Sequence, residues 1–133
     1  MITSLNFKII PHAEHRYPTV GDYWEEPPGS GHWEIRVSDV GDWQMALLVF
    51  VHEIVELCQT EAAGIKEQDI TAFDIQFEAA HANDDEEPGD SPWAPYHKQH
   101  VMAECLERIL ALILGINWQD YDDKLMEVWR PKK

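Results

Sequence analysis

A chain of 133 residues has room for one folded domain, residues 1–133, and 44% hydrophobic content is ample for a single core. Asp and Glu number 25 against 10 Lys and Arg, and the formal net charge of −15 repels phosphate backbones and anionic lipid, so neither nucleic acid nor a membrane surface is expected as a partner. The longest apolar run, Met45 to Val51, is too short to span a bilayer, and the first residues lack a signal-peptide pattern, so a cytoplasmic location is expected.

In chain order, Leu5, Phe7 and Ile9 alternate with Asn6 and Lys8, the period of a half-buried strand. Tyr17 to Trp24 is a candidate second strand, and Pro27-Pro28-Gly29-Ser30-Gly31 is a turn. Trp33, Ile35 and Val37 alternate with His32, Glu34 and Arg36 and form the clearest strand. His12, His15 and His32 have no ligand spacing and read as turn or surface residues. Trp24, Trp33, Trp43 and Trp93 read as core or cleft walls.

Near residue 40 the pattern becomes helical. Asp39 or Asp42 caps a helix that runs to about Thr60, with Gly64 as its stop signal. A second helix is expected over Lys66 to His81, where Ile70, Phe73, Phe77 and Ala80 form one stripe. The acidic run Asp84-Asp85-Glu86-Glu87 before Pro88-Gly89-Asp90 reads as a solvated loop with no function of its own. Pro95 suits the first turn of a third helix whose core stripe is Val101, Met102, Cys105, Ile109 and Leu112, ending at Gly115. An amphipathic segment from Trp118 to Trp129 closes the chain. The expected fold class is α+β, a small N-terminal antiparallel sheet (1–38) packed on a three- to four-helix segment (39–130) with a buried central helix.

Cys58 and Cys105 lie inside apolar helical patterns and outside any CxxC motif, so buried free thiols in a reducing compartment are expected.

Of the sixteen residues from Trp43 to Cys58, twelve are apolar, and His52, Glu53 and Glu56 interrupt them. A buried carboxylate without a partner costs several kcal/mol, so these groups need a cation, a donor network or a wet cleft. His52 and Glu56 are four residues apart and share a helical face, from which both can reach one ion. The competing reading is a core histidine bonded to a carboxylate, with Glu56 paired to Arg36 or Arg108. His97, His100 and Glu104 occupy one flank of the third helix, and His100-xxx-Glu104 repeats the spacing of the first pair. Asp74 and Glu78, with His81 beyond, are a third acidic pair that reads as outer ligands or as a solvated face. The expected cofactor is a divalent transition metal, zinc first, with manganese, iron or nickel as alternatives.

His52-Glu53-Ile54-Val55-Glu56 resembles the HExxH helix of zincin metallopeptidases. The resemblance implies that His52 is a ligand, that Glu53 is the general base, and that Glu56 stands where the second ligand histidine normally is. The wider pattern, HExxE, an AFD segment and a GDxPxAPYHxxH stretch, is similar to small bacterial and phage proteins and implies no named activity. A further likeness, to all-α nucleotide pyrophosphohydrolases, implies magnesium held by acidic residues such as Glu53, Asp74 and Glu78, against which the histidines weigh. The leading expectation is a metal-dependent hydrolase acting on a small molecule or peptide, with self-association compatible. The alternative is a non-enzymatic structural or interaction protein with a structural metal site or a buried polar network.

Overall fold

In a computed structural model, which describes residues 1–131, three strands occupy the N-terminal third: β1 (Ser4–Ile10), β2 (Gly21–Glu25) and β3 (His32–Ser38). β3 is central, and Trp33, Ile35 and Val37 are buried on one face, as period two requires. The Pro27 to Gly31 turn brings β2 back antiparallel to β3, with Tyr23 opposite Ile35. β1 lies on the other edge and runs parallel to β3, with Phe7 opposite Ile35. The sheet is therefore mixed, a correction to the all-antiparallel expectation. Alternation assigns side chains to faces and is silent on direction, whereas residues 11–20 carry the chain across to the far edge before β2 begins.

Four helices follow: α1 (Trp43–Ala63), α2 (Glu67–Ala80), α3 (His97–Leu114) and α4 (Trp118–Trp129). Asp42 caps α1, its Oδ1 accepting from the Gln44 and Met45 amides at 2.8 and 3.3 Å. Gly64 and Gly115, at φ of 72° and 71°, end α1 and α3 in the left-handed conformation that other residues resist. Pro95 lies just before α3 rather than in its first turn. The fold is α+β, a three-stranded sheet with four helices, and among the described residues no helix is long and apolar enough to cross a membrane.

The core has two apolar clusters. One joins Leu48 and Val49 of α1 to Ala111 of α3 and to Tyr121, Leu125 and Trp129 of α4. The other joins Leu57 of α1 to Tyr23, Trp33 and Ile35 of the sheet and Ile70 of α2. His52 and Glu56 fall between them on α1, so the helix that builds both clusters also suspends two polar groups at their junction.

Several burial expectations are corrected. The apolar stripe assigned to the core on α3 faces outward: Met102 is 56%, Ile109 53% and Leu112 81% exposed. The buried face is instead His100, Ala103, Glu107 and Ala111. Small alanines let α3 lie close against α1, and polar partners there satisfy the two charged groups, so an apolar stripe is not needed on that side. Cys58 and Cys105 are free thiols but exposed, because each sits on the outward side of its helix. Trp33 is a core residue, whereas Trp43 and Trp93 are largely exposed.

Candidate metal centre

α1 and α3 cross so that His52 and Glu56 meet His100. His52 Nε2 lies 3.0 Å from His100 Nδ1 and 3.1 Å from Glu56 Oε2, and His100 Nδ1 lies 3.3 Å from that same oxygen. Three donor atoms thus form a nearly equilateral triangle, and all three residues are buried. Tetrahedral ligands at 2.0–2.1 Å from zinc are separated by about 3.3 Å, so the triangle has the dimensions of one face of a coordination sphere.

The outer atoms of the same residues are held. His52 Nδ1 is 2.7 Å from Glu107 Oε1, and the Tyr121 hydroxyl donates to the other Glu107 oxygen. His100 Nε2 is 3.1 Å from Asp90 Oδ1, with Glu87 Oε2 3.8 Å away. The Tyr23 hydroxyl donates to Glu56 Oε1 at 3.0 Å. A carboxylate on the outer nitrogen keeps the proton there and turns the inner lone pair toward the centre, the tautomer a metal-bound imidazole requires.

The electrostatics favour positive charge at this cluster. Burial works to raise the Glu56 carboxyl, but hydrogen bonds and charge from His100 and His52 outweigh it and bring it down to about 2. Burial pulls His100 down, yet Asp90 and Glu56 overcome it and lift the ring to about 10. His52 is likewise raised, against burial, by Glu107 and Glu56. The cluster draws positive charge into a buried place, and a divalent cation satisfies all three inner donors at once where a shared proton satisfies two.

A cavity of about 80 Å³ lies beside the triangle, lined by Gly21, Glu53, Asp74, Glu87 and Gly89 among others. Glu53 is one position along α1 from His52 and sits against Gly21, where any larger side chain would collide with its carboxylate. Burial, then the charge of Glu56, push the Glu53 carboxyl well above the usual range. Gly89 does the same service for His100: a side chain at Gly89 would overlap the imidazole, so its glycine identity lets the loop backbone close over the ring.

The other sequence candidates are placed less centrally. Asp74 faces the cavity but accepts from Tyr17 at 3.0 Å and from Tyr96, and burial pushes it up to about 7. Glu78 pairs with Arg130 at 3.0 Å. His97 Nδ1 lies 2.9 Å from the Gly89 carbonyl, and Glu104 is 3.7 Å from Arg108 at the cavity rim. Neither arginine weighed as a partner for Glu56 reaches it: Arg36 pairs with Glu34 and Arg108 with Glu104. His12 and His15 both bond the Ser38 hydroxyl at 2.9 Å, away from the centre.

Glu107, Asp90, Tyr23 and Tyr121 were not singled out by sequence reasoning. Glu107 carried a signal, because seven residues, nearly two turns, return it to within about 20° of His100, closer than Glu104 at four. Asp90 belongs to the loop read as functionless. That loop is tied down by Arg130, which donates to the Asp84 carbonyl at 2.7 Å, and it delivers Asp90 and Glu87 to His100.

Comparison with protein-family models, curated proteins and solved structures finds no match to this chain.

Proposed function

We propose that this protein binds one divalent transition metal through His52, Glu56 and His100 and uses it to activate water for hydrolysis of a small substrate. The observation that carries the reading is the triangle of inner donor atoms at 3.0, 3.1 and 3.3 Å whose outer atoms are already engaged by Glu107, Asp90 and Tyr23. Two imidazoles and one carboxylate are the donor set of catalytic zinc and of non-haem iron sites, in which three protein ligands leave a position for water or substrate. Zinc is the first choice, with manganese, iron or nickel compatible with the same donors.

Glu53 lines the adjoining cavity and is the residue we assign as general base: a bound cation would oppose the burial and the Glu56 charge that hold its carboxyl protonated, and the carboxylate would then accept a proton from water. The small, acidic cavity disfavours polyphosphate substrates, and Glu78, one of the acids a magnesium site would need, is engaged by Arg130. A structural metal site would use the same triangle, and activity separates the two readings.

The test is elemental analysis of untagged protein. His52→Ala and His100→Ala are expected to reduce the metal from near stoichiometric to trace, while Glu53→Gln retains the metal and loses hydrolysis across a panel of ester, amide and peptide substrates. Full metal content in both histidine variants would sink the proposal. Metal retained with no activity in the wild-type protein would leave only the structural site.

A further inference from the structure

We propose that the outward face of α3, continued along α1, is a self-association surface on which a second copy of this chain packs about a two-fold axis. Val101, Met102, Leu106, Ile109, Leu112 and Ile113 are 40–81% exposed, and Cys105 is exposed among them. They cover the side of α3 opposite His100, Ala103, Glu107 and Ala111. Together they present on the order of 600 Å², as much as the largest apolar patch on an ordinary monomer.

A standard interface takes about 800 Å² from each partner. The outward side of α1 adds to the patch: Val51 and Val55 are half-buried, belong to neither core cluster, and lie beside exposed Cys58. Gln59 Nε2 donates to the Val55 and Gln99 carbonyls at 3.2 and 3.3 Å, which marks the seam where the two outward faces join.

The pattern identifies the occupant as a like helix. Met102, Cys105, Ile109 and Leu112 are spaced three, four and three, the seam that lets two helices pack side by side at about 20°. In an antiparallel two-fold pair Met102 of one copy lies opposite Leu112 of the other and Cys105 opposite Ile109, so the face is complementary to itself. Charge agrees with this choice. The chain carries a net −15, yet this seam contains no acidic residue, and its flanking Glu104 and Arg108 cancel at 3.7 Å. A copy docked through an acidic face would meet repulsion, and the net charge would repel an anionic bilayer.

Sedimentation velocity and light scattering of the full chain test the proposal. The wild-type protein is expected at twice the monomer mass. Ile109→Lys and Leu112→Lys are expected at monomer mass with unchanged circular dichroism, because both side chains already face outward. Ile75→Lys is the control: Ile75 is 50% exposed on α2, outside the seam, and its variant is expected to remain a dimer. A monomeric wild-type protein, or lysine variants of the seam that keep the doubled mass, would overturn the proposal.

Discussion

What each side chain at the centre does depends on the atom it turns away from the triangle. Glu107 holds the outer nitrogen of His52 and is itself held by Tyr121. Glu107→Gln keeps an acceptor but removes the charge that makes the ring a stronger donor, and such outer partners are worth about 10–100-fold in metal affinity. Competition against a chromophoric chelator is expected to read a loss in that range, and an unchanged affinity would show that Glu107 does not tune His52. Asp74 gives the chain a pH-dependent term in chelator-treated protein. Burial is the largest cause of its rise from 3.8 to about 7, so the protonated form is favoured on folding. That contribution is fully present below pH 3.8 and is lost as pH rises through about 7. Asp74→Asn stays neutral throughout, so its urea-denaturation stability relative to wild type is expected to improve from about pH 4 to pH 8 by up to about 4 kcal/mol. A difference that is flat with pH would remove Asp74 as the cause. At this scale four-residue spacing and apolar flanks, both local facts, singled out His52 with Glu56, whereas the spacing that singled out His100 pointed to Glu104, which pairs with Arg108. The sequence was silent on Asp90 and Tyr23, which reach the centre from a loop and a strand distant in sequence.

Helix boundaries are written in single residues, and for that reason they were legible. Asp42, Gly64 and Gly115 each stand where a helix begins or ends. Asp42→Ala removes an acceptor shared by two amides and is expected to cost about 1 kcal/mol, read as a lower urea midpoint with the same slope. Helix faces were less legible. α3 has a clear apolar stripe, and the period alone directs that stripe to the core, yet the structure turns it outward. The reason lies in α1, whose buried polar groups need partners: a neighbour offering His100 and Glu107 among alanines satisfies them, whereas a neighbour offering Ile109 and Leu112 would leave them unpaired. Polar satisfaction outranks apolar burial here because an unpaired buried charge costs more than an exposed aliphatic side chain. The outward stripe is then what a second α3 would cover.

For the whole molecule, the two apolar clusters on either side of His52 and Glu56 make one helix responsible for both stability and the site. The acidic balance works against compaction, and it is answered locally rather than by average charge. Arg16 forms a two-pronged pair with Asp22 at 2.8 and 2.9 Å and reaches Glu67, so β2 is tied to α2, while Arg130 ties α4 to Glu78 and to the loop that carries Asp90. The amino-acid sequence by itself determined the α+β class, the order of strands and helices, the Asp42 cap and the Gly64 and Gly115 stops, and the pairing of His52 with Glu56, since all of these rest on contacts or spacings within a few residues. Only the tertiary structure decided the parallel direction of β1, the outward turn of α3 and the closure of the donor triangle by His100, with Glu107 and Asp90 behind it. Those features depend on how α1 and α3 cross and on where a distant loop returns, and a helical or strand period carries no information about either.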